Sequence, residues 1–168
     1  MSAWPLLPCT GDVFGGRAVE LSGIVVDPEV QARGLGLEMI HSYLEPERDA
    51  AFITAYSRNP AIFRLFEKYD ADSYPKCVAN PKLVATVAEM PGATIIERVA
   101  YHINRYGAEG LYGQNDPAER INRVTGKLYK ETYPPLRDIG TALILGAPIC
   151  PGTDQSNFAI IKQRSPRP

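Results

Sequence analysis

The chain is predicted to adopt an α/β fold, a mixed twisted sheet grown from a β-α-β-α core, and three features of the sequence carry that expectation. Two short runs, "RAVELSGIVVD" at 17–27 and "AAFITAY" at 50–56, have the alternating or β-branched character of strands. Each is followed by apolar residues at helical spacing: Leu37, Met39, Ile40, Tyr43 and Leu44 after the first, and Ile62, Leu65, Phe66 and Tyr69 after the second. Turn and cap residues punctuate the junctions, with Asp27-Pro28 and Gly34 to Gly36 before the first helix, Pro46 after it, and Ser57-Arg58-Asn59-Pro60 before the second. Strand, helix, strand in that order implies a parallel pair joined by a right-handed crossover.

Each element can be justified in turn. The first strand alternates early and turns β-branched late, as expected where its far end is buried on both faces. Beyond Asp72 the segment "SYPKCVANP" reads as a loop. "PKLVATVAEM" and "ATIIERVAYHINRY" read as helices separated by Pro91-Gly92, the second with Ile95, Ile96, Val99 and Ile103 on one side. Asp116-Pro117 followed by Glu119 predicts a capped short helix at "DPAERINRV". Two strands, "TALILGAPI" and "NFAIIKQ", joined by the turn-rich "CPGTDQS", predict a C-terminal β-hairpin ahead of the tail "RSPRP". The expected organisation is one domain over 1–168: core motifs at 17–72, an extension with C-terminal strands at 73–163 that includes a helical segment at about 80–130, and a tail at 164–168.

Bulk properties narrow the function. A chain of 168 residues is long enough for a sizeable core. Its net charge of -1 and pI near 6.1, with Lys and Arg spread along the chain, give no electrostatic support for a nucleic-acid partner. No apolar run approaches the roughly 20 residues of a membrane span, and the N-terminus lacks the features of a signal peptide, so a cytoplasmic protein with no membrane association is expected. Cys9, Cys77 and Cys150 are far apart and show no ligand spacing, which predicts reduced thiols and no metal. His41, on a helical face with Glu38 and Glu45, and His102, four residues after Arg98, are expected on solvated faces.

The stretch "GIVVDPEVQARGLGLEMIHSYL" at 23–44 is the most informative. It is either ordinary strand-turn-helix punctuation or a phosphate loop, since the first amides of a helix lack intrahelical partners and its dipole favours an anion. A P-loop needs a Gly-Lys-Ser/Thr end, and no Lys occurs in the first 67 residues. A dinucleotide-binding Gly-x-Gly-x-x-Gly needs a third glycine where Met39 stands. What remains is Gln31-x-x-Gly34-x-Gly36 after a strand ending in Asp-Pro.

That pattern resembles the central motif of the GNAT superfamily of acyl-CoA-dependent N-acetyltransferases, whose loop runs Arg/Gln-x-x-Gly-x-Gly/Ala. A second motif of the family, Asn after a strand and then an apolar helix ending in Leu-Tyr-Glu-Lys, is matched by Asn59, Ala61, Leu65, Phe66, Glu67 and Lys68 in "AAFITAYSRNPAIFRLFEKY". The two motifs in order cover about residues 17–72. The resemblance implies acetyl-CoA as cosubstrate, with its pyrophosphate on the segment Gln31, Ala32, Arg33, Gly34, Leu35, Gly36 and Leu37. Its pantetheine arm would lie along the backbone of Ile24, Val25 and Val26, and Asn59 would bond the arm or support the helix start. The implied reaction is transfer of an acetyl group to a small-molecule or protein amine.

Such transfer needs a base for the ammonium proton, a donor to the thioester carbonyl and an acid for the thiolate. Glu20, eleven residues before Gln31, falls where some members of the family carry a catalytic Glu, and alternation puts it on one strand face with Ser22 and Ile24. The plainer reading is a strand-edge carboxylate in solvent or paired with Arg17. Phe66 stands where the family has its acidic Tyr, and a phenyl ring donates no proton. Tyr69, one turn later, is the substitute acid or a core tyrosine. Asp70-Ala71 replaces a common Gly-Phe. Few residues precede Arg17 compared with the family, which leaves three alternatives: an abbreviated variant, a start internal to a longer frame, or a homodimer whose partner completes the sheet. A CoA-binding module that retained the loop and lost the chemistry is the alternative to an enzyme, and a scaffold is a third.

Overall fold

The computed structural model describes residues 17–22, 34–47, 49–122 and 125–149. Numbered in chain order, strand β1 (Arg17–Glu20) runs parallel to β2 (Ala50–Ser57), and β3 (Ala93–Ile96) pairs antiparallel with β4 (Val99–His102). The last strand, β5 (Ala142–Pro148), inserts antiparallel between β2 and β4, giving the order β1-β2-β5-β4-β3. The fold is therefore mixed α/β, with the expected parallel crossover from β1 through helix α1 (Leu35–Leu44) to β2 and on to α2 (Pro60–Tyr69).

Alternation along the central strands divides the core into two layers. Ile53 and Ala55 of β2, Leu143, Leu145 and Ala147 of β5, and Tyr101 of β4 face one side, where Ile40 and Leu44 of α1 and Phe63 and Phe66 of α2 cover them. Phe52, Ile144 and Ala100 face the other side, packed on Leu83 and Val87 of α3 (Pro81–Ala88) and on Tyr74. With helices on both faces, β5 reads "ALILGAP", a continuous apolar run that is buried at all seven positions. Gly146 lets α3 come close, since a Cβ there would lie 2.8 Å from side-chain carbons of Leu83 and Val87.

The helices begin where their caps predict. Asn59 accepts a hydrogen bond from the Ala61 amide at 3.0 Å and Asn80 from the Lys82 and Leu83 amides at 3.1 Å, each with Pro at the first helical position. The "SYPKCVANP" loop is irregular as expected, although Tyr74 makes an isolated bridge to Gly146 of β5.

Several expectations are corrected. Residues 93–106 do not form a helix: Ala93–Ile96 and Val99–His102 are a β-hairpin closed by Glu97 and Arg98, both at positive φ (50° and 69°). The spacing of Ile95, Ile96, Val99 and Ile103 fits a helical face, but a two-residue turn with both φ positive lays the same residues into paired strands. The helical segment expected at about 80–130 thus reduces to α3, the hairpin, turns, and the first two residues of the four-residue α4 (Tyr129–Thr132). Asp116-Pro117 opens only a 3-10 turn, Pro117–Glu119, whose Ala118 amide donates to Asp116 Oδ1 at 3.1 Å. β1 is described as Arg17–Glu20 rather than 17–27, the remainder of that run from Gly23 lying outside the described residues. The described partners of β5 are β2 and β4, and the second strand of the expected C-terminal hairpin, "NFAIIKQ", lies outside the described residues, as does the tail.

Candidate functional site

Two regions hold the residues that sequence singled out, and they lie on different faces of the sheet. The first is the amino end of α1. Gly34 is its cap at φ 84°, a left-handed conformation that glycine adopts without penalty, and a Cβ built there meets nothing within 4 Å. The Leu37 amide donates to the Gly34 carbonyl at 3.0 Å, which closes the first turn around Leu35, Gly36 and Leu37. Gly36 has a packing role: a Cβ there would sit 3.2 Å from Leu65 of α2. Glu38, exposed in the first turn, places a negative charge where the helix dipole would otherwise favour an anion. Gln31, Ala32, Arg33, Ile24, Val25 and Val26 lie outside the described residues. Asn59 is half-buried, caps α2, and receives no assignment beyond that cap and the bond from its own amide to Ser57 Oγ at 3.0 Å.

Around the apolar layer, Phe66 is 1% exposed among core side chains. Tyr69 packs against the same core with its ring 5.5 Å from that of His41, and burial, with some help from the Asp70 charge, pushes its hydroxyl up to about 12. His41 is half-buried rather than solvated, and its burial lowers its affinity for a proton.

The second region is on the α3 face, at the carboxyl ends of β1 and β2. Val19 and Leu21 are buried, and Leu21 joins the α1/α2 layer, so alternation turns Ala18 and Glu20 to the opposite side. The sheet therefore separates Glu20 from Tyr69. Glu20 pairs neither with solvent alone nor with Arg17: Arg17 bonds Asp49 and Glu47, while Glu20 Oε1 lies 3.6 Å from Arg105 Nη2. Both side chains of the Glu20–Arg105 pair are a little over one-third exposed (38% and 37%). The Arg105 guanidinium also lies over the Tyr56 ring, 4.2 Å from its centre.

Tyr56 is braced from three directions. Its hydroxyl donates to the Pro91 carbonyl at 2.9 Å, the His102 ring meets it edge-on at 5.5 Å, and the Tyr106 hydroxyl donates to its backbone carbonyl at 3.2 Å. His102 is half-buried on β4 rather than on a solvated helix, backed by Gly92, where a Cβ would fall 2.3 Å from its Nε2. Partial burial raises the Tyr56 phenol, the Glu20 charge raises it further, and the Arg105 charge opposes both. Tyr43 of α1 fixes the strand from the other side by donating to the Glu20 carbonyl at 2.9 Å.

Sequence reasoning missed Tyr56, His102 and Arg105. The alternation of Phe52, Thr54 and Tyr56 onto one face of β2 is visible in the sequence, but only the pairing Glu20↔Thr54 in the structure sets Glu20 beside that row. Arg105 and the setting of His102 are concealed in the sequence because the hairpin residues also fit helical spacing. Among the described residues no group of His, Cys, Asp and Glu could hold a metal ion, and no helix is long and apolar enough to cross a membrane. Cys77 is a free, half-buried thiol, and Cys9 and Cys150 lie outside the described residues. No family model, curated protein or solved structure matches the chain.

Proposed function

We propose that the protein is a cytoplasmic N-acyltransferase that moves an acetyl group from acetyl-CoA to a primary amine. The observation that carries this reading is the β1-α1-β2-α2 unit itself: a parallel pair whose connecting helix starts at a left-handed glycine, with a carboxylate at the carboxyl end of the first strand. The open space at Gly34 suits close approach of a phosphate to backbone amides, and that segment, with residues 31–33, is where the CoA pyrophosphate is proposed to bind. Acetyl-CoA supplies the activated thioester. Glu20 takes the proton that the attacking ammonium must lose, directly or through a water, from a half-exposed position that gives both access. Water protonates the departing thiolate in this scheme, because Phe66 has no proton to give and burial pushes the Tyr69 hydroxyl up to about 12, where it gives up its proton poorly.

Gly34→Asp and Gly34→Asn test the cofactor loop as a pair. Asn and Asp both tolerate the left-handed region, so the two variants share their backbone cost and differ in one charge. Acetyl-CoA affinity by calorimetry should fall at least tenfold further in Gly34→Asp than in Gly34→Asn, a difference of about 1.4 kcal/mol. Equal affinities would remove the loop from the reading. The burial of Phe66 favours a second reading, a CoA-binding module without turnover. Stabilisation by acetyl-CoA without steady thiol release across a panel of amines selects it, and no shift in melting temperature leaves only a scaffold.

A further inference from the structure

We propose that the Glu20 carboxylate and the face of the Tyr56 ring form a seat for a primary ammonium group, and that Arg105 occupies this seat in the unliganded protein. Naming the cation as the acceptor amine rests on the acetyltransfer reading; the seat itself does not. A carboxylate beside an aromatic face is a cation site by its own chemistry, since charge and ring quadrupole attract the same ligand. The Arg105 guanidinium uses both, at 3.6 Å from Glu20 and 4.2 Å from the Tyr56 ring centre.

The seat and its occupant are held very differently. The Tyr56 hydroxyl is anchored on the Pro91 carbonyl, its ring on His102 and its backbone on Tyr106, so the ring keeps its orientation when Arg105 leaves. The Arg105 head, by contrast, is more than one-third exposed and its separation from Glu20 is longer than a hydrogen bond. Its backbone belongs to a turn fixed by the Tyr106 amide on the Gly140 carbonyl at 2.8 Å, flanked by Asn104 and Gly107 at positive φ. The side chain can therefore swing out without the turn moving. Arg58, which is buried and bonded at every donor, shows what a permanently seated arginine looks like in this fold.

Displacement has a signature opposite to that of direct recognition. If Arg105 competes with the ligand, removing it strengthens amine binding; if Arg105 instead captures an acidic ligand, removing it weakens acid binding. The test is an NMR titration of the full chain with n-butylammonium, n-butyrate and n-butanol, following the Arg105 side-chain Nε–H signal and the Tyr56 ring. The expected result is saturable shifts with n-butylammonium alone, release of the Arg105 signal from its shifted position, and about tenfold tighter binding in Arg105→Ala, as for a seat open about a tenth of the time. Glu20→Gln and Tyr56→Leu should lose the binding, while Tyr56→Phe, which keeps the ring face, should retain it. Unchanged or weaker n-butylammonium binding in Arg105→Ala, butyrate binding that depends on Arg105, or no saturable binding by any variant overturns the proposal. No CoA is present, so this failure leaves the cofactor test untouched, and failure of that test leaves the seat standing.

Discussion

Arg58 is buried to 1% exposure, and all five of its N–H donors are used. Nε and Nη2 grip Asp116 at 2.7 and 2.5 Å, Nη1 donates to the Asp138 and Thr141 carbonyls, and Nη2 also donates to Leu136. One side chain thus ties the end of β2 to four residues of the 116–141 segment. A buried ion pair adds little net stability when intact, yet removing one partner leaves a desolvated charge, so Arg58→Met should cost about 3–5 kcal/mol in urea unfolding. A loss under about 1 kcal/mol would show that the segment holds without it. The Asp116 carboxyl reports the same bond through pH. Burial, the largest single influence, raises its proton affinity, but the Arg58 hydrogen bond, the Ala118 amide and the charges of Arg58 and Lys130 together hold it below its usual value. A folded value below the unfolded one means the carboxylate's stabilisation is complete above the unfolded value, near 3.8, and lost as pH falls through the folded one. Asp116→Asn should flatten that acid limb of the melting-temperature curve, and an unchanged limb would assign acid sensitivity elsewhere, Asp138 first. None of this was legible beforehand: the sequence shows Arg58 only as a residue before a helix cap, and its partners are 58 to 83 positions away.

At the scale of elements, legibility followed the caps. Asn59-Pro60 and Asn80-Pro81 announce their helices because an Asn side chain and a ring-locked φ meet the requirements of a helix start directly. Strands β2 and β5 were readable as short apolar runs bounded by turn residues. The β3–β4 hairpin was not, because its turn uses Glu97 and Arg98 where a two-residue loop with both φ positive ordinarily has Asn-Gly. With no turn signal between them, Ile95, Ile96 and Val99 present as one helical face. The left-handed turn at Glu97 and Arg98 gives a measurable expectation. Left-handed backbone costs an ordinary residue roughly 1–2 kcal/mol, and Asn and Gly avoid most of it. The Arg98 contact that matters is its carbonyl, which accepts from the Tyr74 hydroxyl at 2.9 Å and survives substitution. Glu97→Asn with Arg98→Gly should therefore stabilise the protein by about 1 kcal/mol or more in equilibrium unfolding. Destabilisation would mean that the Glu97 and Arg98 side chains contribute contacts that the backbone strain conceals.

At the scale of the molecule, the sheet decides what holds and what yields. The parallel pair was legible from the order of elements, but the insertion of β5 between β2 and β4 was not, because pairing between residues 86 to 96 positions apart leaves no local mark. The same limit applied to the candidate site: the helix start at Gly34 could be read from its glycines and Glu20 was singled out by the resemblance of the motif that follows it, while the braces of Tyr56 come from the loop after α3 and from β4. β5 and most of β2 are covered on both faces, whereas β3 is a four-residue edge strand with Thr94, Ile95 and Ile96 exposed. Amides that exchange only on global unfolding should therefore lie in β2 and β5, and those of β3 should open through smaller fluctuations. Ligand binding adds a second expectation to the same measurement. CoA phosphates engaged by the first turn of α1 would slow exchange at Gly34 to Leu37 and at the cap of α2, without comparable change in α3 or β3, which lie on the other face or the far edge. Hydrogen exchange with and without saturating acetyl-CoA distinguishes the cases: protection confined to the amino ends of α1 and α2 supports the cofactor loop. Protection spread evenly in proportion to global stability would mean that binding, if present, reports only mass action on the folded state. Protection centred on β3 would move the site to the far edge of the sheet.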